Sequence, residues 1–336
     1  MIRRLSAALA GLLLTLAGLF AVTTPSQARI VPSATTTGSS VNNFWIHCTQ
    51  SGTSRTVDPI VAPGSTSTMH FHSFYGNTSI DQNSTPASLQ ANNSTTCTTS
   101  TDTAGYWAPT LMLGPNEVQT YGPTAGCTTY CSYTNIRAYY SLAGATKSQL
   151  VVPPFGEEVV GGSDAVTGPQ SINQIGWACG GSTPFEQYPY DCSKFINTSG
   201  NADQDGVVMR VIMPRCWNGL DPTNRANFTY PMNGQGPSCP TAFPKVLPLI
   251  NVRFHTGIVD PCGIGVSCPQ GAVNKPDFGF EYADGTMMPW YMAHADFMNG
   301  WQSGDGGLND LVIDCLKLAM ACPFNPHTSP KSNMPT

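Results

Sequence analysis

Charge is scarce in this sequence. Of 336 residues only 10% are Asp, Glu, Lys or Arg, and the formal net charge is −5. A mildly acidic, charge-poor chain lacks the basic surface that nucleic acid or an anionic membrane attracts, so neither is expected as a partner. Long apolar runs are missing beyond the first residues. Nothing after Val22 approaches the roughly 18 residues needed to span a bilayer. Amphipathic helix patterns are few. No Gly-rich loop is placed to cradle phosphate, and no Ser sits in a Gly-x-Ser-x-Gly elbow, which argues against an α/β-hydrolase. Histidine is rare too, with six in the chain.

What is present begins with Met1-Ile2-Arg3-Arg4, an apolar run from Leu5 to Val22, and Ser26-Gln27-Ala28. A positive start, an apolar run and a small-residue site read as a secretory signal peptide over 1–28, with a retained anchor as the alternative. The mature chain would then start at Arg29 and be secreted. Its twelve cysteines are even in number, which in an exported chain suggests disulfides. Cys127/Cys131, Cys179/Cys192, Cys216/Cys239, Cys262/Cys268 and Cys315/Cys322 are close pairs. Bridging neighbours would leave Cys48 with Cys97. Cys127-Thr-Thr-Tyr-Cys131 also has the look of half a zinc site, but no second Cys/His pair follows at finger spacing.

Frequent Gly and Pro with few helix patterns favour a single mainly β domain over 42–325. A disulfide-rich sandwich or jelly-roll with long loops is expected, with two β-rich lobes as the alternative. A flexible lead-in over 29–41 and a tail over 326–336 flank it. Strands are expected over Asn42–Cys48, Ile136–Leu142, Val207–Met213 and Leu249–His255, where apolar residues alternate or run unbroken. Phe278–Tyr282 and Met287–Met292 flank the turn Ala283-Asp284-Gly285. Residues 77–103, almost all Ser, Thr, Asn and Gln, read as a long surface loop. One helix is expected: Leu308, Leu311, Val312, Cys315, Leu316 and Ala319 recur at helical spacing, capped by Asp305 or a neighbouring glycine.

Three of the six histidines fall in two similar motifs. Met69-His70-Phe71-His72-Ser73-Phe74-Tyr75-Gly76 alternates, so a strand there would put His70 and His72 on one face about 7 Å apart. His294-Ala295-Asp296-Phe297 repeats the spacing with a carboxylate in second place. His70, His72, His294 and Asp296, with Asp58 or Asp221 as a second carboxylate, are expected to meet as a reacting centre. Two chemistries fit: acid–base work by a His or carboxyl group oriented by a partner, and a divalent metal held by neutral imidazoles and a carboxylate. The first is the leading expectation, with no cofactor required. Asp58 precedes Pro59, and Asp221 follows Gly219-Leu220, so both also suit turns. Trp107, Trp217, Trp301 and Tyr75 are candidates to stack on sugar rings, and Arg137 to bind a substrate carboxylate.

These motifs resemble a secreted bacterial and fungal family catalogued as a domain of unknown function (number nineteen ninety-six), sometimes found beside carbohydrate-binding WSC modules. The resemblance rests on His70 to Gly76, Tyr106 to Pro109, Trp177 to Cys179, Cys216 to Asp221, and His294 to Trp301. The chain departs from the pattern in having Asn218 for the usual Asp, no histidine between Pro222 and Tyr230, and Phe243 where the family often has His. The WSC association implies a cell-wall or extracellular glycan setting. The expectation is therefore a secreted protein that cleaves such a polysaccharide by His/Asp chemistry. A non-catalytic glycan-binding or metal-binding wall protein is the alternative.

Overall fold

A computed structural model describes residues 43–113, 130–131, 135–180, 183–189, 192, 206–256 and 278–319. The expected signal peptide, lead-in and tail lie outside the described residues, as do Cys127, Cys262, Cys268 and Cys322.

Two antiparallel sheets form the framework. The larger runs in the order Asn43–Cys48, Asn135–Ser141, Leu249–His255, Val207–Ile212, Ile175–Cys179. Register places Phe44 beside Tyr140, Ile250 across from Tyr140, and Phe254 beside both Ile136 and Met209. These alternate residues share one face because side chains in a strand have a period of two. The second sheet runs in the order His72–Gly76, Gly105–Pro109, His294–Met298, Glu158–Gly162. Its inward face carries Tyr75, Tyr106, Phe297, Ala295 and Val159, which join the larger sheet's inner residues in one buried core. Tyr75 meets Phe254 edge-to-face at 6.0 Å, and the Tyr106 and Tyr140 hydroxyls hydrogen-bond at 2.7 Å between the sheets. The result is a mainly β sandwich.

The outer face of the four-stranded sheet is where the candidate site forms. A second cluster of Val57, Phe74, Ile80, Leu89, Trp107 and Met298 covers part of that face. This corrects the expectation for residues 77–103. The stretch contains a short helix, Pro86–Ala91, started by Thr85, whose side chain accepts from Ser88 N. It is also packed: Asn77 is fully buried, and its Nδ2 sits within hydrogen-bond distance of the Leu89, Asn92 and Thr103 carbonyls, which share its two hydrogens. Polar composition hid the segment's two apolar anchors, Ile80 and Leu89.

The expected hairpin forms between Phe278–Glu281 and Met287–Pro289. Disulfides join Cys48 to Cys97, Cys179 to Cys192 and Cys216 to Cys239, and no cysteine is free among the described residues. The C-terminal helix is shorter than its pattern. Leu308–Leu311 is α-helical, Val312–Lys317 continues with π-type bonding, and Ala319 has a positive φ of 54°. Gly307, not Asp305, holds the cap position. None of the described helices is long and apolar enough to cross a membrane.

Candidate functional site

His72 opens the first strand of the four-stranded sheet, and His294 opens the third. Their side chains share the outer face, because His72 lies opposite Pro109 while Asp296 lies opposite Trp107 and Val160. His70 precedes the strand. It pairs as a single bridge with Tyr282, and its neighbours fix it there: Phe71 N donates to Glu281 O and Ala283 N to Met69 O. The chain turns at this point, so the two rings converge where a straight strand would hold them apart. Beside His294 stands Gly162, with φ +77°. A Cβ on Gly162 would lie 2.6 Å from Ala293 O and 3.1 Å from the His294 Cα. The close approach of backbone to His294 therefore needs glycine.

The three imidazoles point their Nε2 atoms at one another. His70 Nε2 is 3.0 Å from His72 Nε2 and 3.1 Å from His294 Nε2. The other nitrogens of two rings are committed: His72 Nδ1 to Val57 O at 3.0 Å, and His294 Nδ1 to Met292 O at 3.0 Å. A carbonyl only accepts, so both Nδ1 atoms carry hydrogen and both Nε2 atoms present lone pairs. Burial lowers the pKa of all three rings. His70 falls to about 4, through burial and the nearby His294. His72 falls well below its ordinary value, through burial and then His70 and His294, and His294 falls mainly through burial. They are neutral at physiological pH. His70 can contribute at most one Nε2 hydrogen to two facing lone pairs, so the cluster alone is not satisfied.

Two carboxylates adjoin it. Asp58 Oδ1 accepts from Ile60 N and Val61 N, which leaves Oδ2 turned to His72 Nε2 at 3.9 Å. Asp296 is fully buried, and neither oxygen has a hydrogen-bond partner. Burial pushes its pKa well up, and Asp58 adds to the rise. Burial also raises Asp58, against the pull of the Val61 N–H. One donor atom each from His70, His72 and His294 lie within 4.8 Å of one another, as do those from Asp58, His72 and Asp296. The set fits a cation. Ligand nitrogens about 2.0–2.1 Å from one ion, at octahedral to tetrahedral angles, stand about 2.9–3.4 Å apart. The observed 3.0 and 3.1 Å fall in that interval. An ion would also offset the cost of a buried carboxylate with unpartnered oxygens.

The cluster is the floor of a cavity of about 630 Å³, within the range of small-molecule sites of roughly 300–1,000 Å³. Its walls include Met69, Asp164, Arg225, Phe228 and Tyr230. Tyr230 ties two walls together, accepting from Gly162 N and donating to Ile212 O. Asp164, Arg225 and Tyr230 were not expected here, because no short motif marks them. They arrive on loops, and only the closing of the chain brings them to the histidines.

The structure brings five of the six expected centre residues together and leaves Asp221 out. Asp221 is exposed, outside the cavity lining, and accepts from Thr223 N and Oγ1 in a turn. The proposed sugar-contact residues are not in the cavity lining either. Tyr75 and Trp301 are buried in the inter-sheet core, and Trp107 lies fully buried beneath the site against Phe74. Trp217 stacks on Phe228 and carries Lys245 over its ring. Arg137 lies over Trp45 on the outer face of the other sheet. Aromatic content signalled the core here, since a sandwich has two faces to fill.

The fold and site define a class: a disulfide-bonded β-sandwich with three histidines and one carboxylate lining an open cavity and a second carboxylate buried beneath them. The chain belongs to the family described as Domain of unknown function (DUF1996), whose model matches residues 58–301. That span begins at Asp58 and ends at Trp301, so it takes in all five residues of the centre. No curated protein and no solved structure gives a significant match.

Proposed function

We propose that this is a secreted, metal-dependent protein that cleaves cell-wall or extracellular polysaccharide, with His70, His72 and His294 as metal ligands and Asp58 as the adjoining carboxylate. The observation that carries the reading is the convergence of three Nε2 atoms while two of the Nδ1 atoms are held by backbone carbonyls. Acid–base work by these rings, the leading expectation from the motifs, is less well supported. A general base needs an oriented ring with a free site for a proton, and here the lone pairs face each other. A bound divalent ion would supply Lewis acidity toward an oxygen of the substrate. The chain's own residues do the rest: the Val57 and Met292 carbonyls orient the rings, Asp58 Oδ2 neutralises charge, and the loop over 55–69 forms one wall of the cavity. Secretion is supported by the amino-terminal pattern and by the disulfides. The glycan setting is supported by the cavity's size and openness and by the family's association with WSC modules.

The test is direct. The mature protein, purified without chelator and offered Zn²⁺, Mn²⁺, Cu²⁺ or Ca²⁺ in turn, should retain about one equivalent of one of them by elemental mass spectrometry. His72→Ala and His294→Ala should lose it. Incubation with a panel of wall polysaccharides should release new reducing ends or unsaturated products, abolished by chelator and restored by that ion. Retention of no metal overturns the metal centre. Cleavage indifferent to chelator restores the acid–base reading, and binding without cleavage makes the protein a glycan binder.

A further inference from the structure

Among the described residues the cavity holds one cationic side chain, and the motif from Cys216 to Asp221 explains why it is there. Arg225 lines the cavity with the histidines, is exposed to solvent, and its guanidinium makes no hydrogen bond or ion pair among the described residues. It lies within electrostatic reach of Asp58 and Asp296, whose charged forms it favours. Its backbone is not loose. Asn224 caps the short turn Arg225–Asn227 by accepting from Ala226 N. Asn218 N and Nδ2 donate to Asn227 O and Oδ1, and Asn227 Nδ2 donates to Asp221 O. Asp221 in turn fixes Thr223 through two hydrogen bonds. The loop is anchored at both ends by the paired strands Cys216–Trp217 and Phe228–Thr229, with the Cys216–Cys239 disulfide at its root. A long, flexible side chain on a well-anchored loop, with its guanidinium unpartnered among the described residues and lining the same cavity as the histidines, is a recognition group that has been pre-organised at the backbone.

We propose that Arg225 recognises a carboxylate on the substrate, so that the glycan taken by this cavity is a uronate-bearing polysaccharide, and that Asp221 is a positioning residue that holds the Arg225 loop. The proposal rests on the glycan-active reading of the same cavity. A guanidinium fork matches a planar carboxylate with two parallel N–H···O bonds. Asp58 and Asp164 also line the cavity, Asp296 lies buried beneath it, and among the described residues the lining carries one guanidinium.

Calorimetry on the metal-loaded protein tests this with three probes: an oligogalacturonate, its methyl ester, and a glycerol-phosphate oligomer. The oligogalacturonate should bind, the ester at least about tenfold more weakly, since a charge-assisted pair is worth about that factor or more. Arg225→Ala should lose about tenfold for the acid and little for the ester, with metal content and thermal midpoint unchanged. Arg225→Lys should fall between. Asp221→Ala should weaken the acid's binding, and Asp221→Asn, which can still accept from Thr223 N, should restore it. Equal binding of acid and ester, or an Arg225→Ala protein that binds the acid like the parent, overturns the proposal. Tighter binding of the glycerol-phosphate oligomer also overturns it and assigns Arg225 to phosphodiesters. If metal is retained and none of the three probes binds, the uronate assignment fails while the metal centre stands. If the parent protein retains no metal, it is the metal centre that fails, and the acid–ester comparison on the metal-free protein still decides the role of Arg225.

Discussion

The most demanding single residues in this protein are buried acids, and not all of them are in the site. Asp102 lies between the sheets, where it accepts from Tyr106 OH and from Ala104 N, and Tyr106 OH also contacts Tyr140 OH. Burial raises its pKa to about 8, despite the opposing pull of the Tyr106 hydrogen bond. An unfolded Asp titrates near 3.9. Between those values the folded state holds a proton that the unfolded state has lost, so stability falls as pH rises across that window. The slope is at most about 1.4 kcal/mol per pH unit for one such group. Asp102→Asn keeps the shape and replaces the proton by an amide hydrogen, so the chain of hydroxyls can still be satisfied. The variant should match the parent in urea unfolding near pH 4 and exceed it near pH 8. A parent and variant that track each other across the whole range would mean that Asp102 is ionised in the fold. His70 has the opposite linkage, since a folded pKa of about 4 lies below its unfolded value. It works against folding in acid and not at neutral pH.

At the scale of elements, what could be read in the sequence followed one rule. Strands with one face in the core and one face polar were legible, because alternation is a local signal. Phe44, Ile46 and Cys48 share a buried face as expected, and so do Ile136, Ala138 and Tyr140. The four-stranded sheet is buried on both faces, so its strands carry little alternation. There the His70–Gly76 alternation and the matching His294-Ala295-Asp296 spacing marked two strands, while Gly105–Pro109 and Glu158–Gly162 were not expected as strands. The packed segment from 77 to 103 was missed because two apolar residues in a polar run carry no period. The His72–Gly76 and Glu158–Gly162 strands each end at a glycine with positive φ, Gly76 and Gly162. Gly162→Ala tests how tightly the element holds the site. Its left-handed backbone and its contact with Ala293 O should together cost about 1–3 kcal/mol. The same strain displaces His294, so metal retention should fall with the midpoint of thermal unfolding. An alanine variant with full metal content and an unchanged midpoint would show that the edge strand yields without disturbing His294.

On the scale of the whole molecule, the centre joins parts of the chain that are far apart in sequence. Asp58 comes from the loop before the first strand of the four-stranded sheet, His70 and His72 from its start, and His294 and Asp296 from the strand two places across. This grouping was legible only in part. The scarcity of histidine pointed to the three rings, and spacing pointed to Asp296. The wall residues Asp164, Arg225 and Tyr230 depend on loop closure, which no local pattern records. The same long reach gives a consequence for folding. An ion that binds the native cluster and not the unfolded chain stabilises the fold by RT ln(1 + [L]/Kd), about 2.7 kcal/mol at one hundred times Kd. It would also fasten the loop over 55–69, which otherwise rests on the sheet through Val57, the Asp58 turn and the Arg55–His72 backbone bonds. Chelation should therefore lower the unfolding midpoint and speed hydrogen exchange at Ile60, Val61 and Ala62 ahead of the rest of the sandwich. His294→Ala should abolish both responses, because the remaining rings cannot close the coordination. A midpoint and an exchange pattern that are the same with chelator and with each added ion would leave the three imidazoles as a hydrogen-bonded cluster and nothing more.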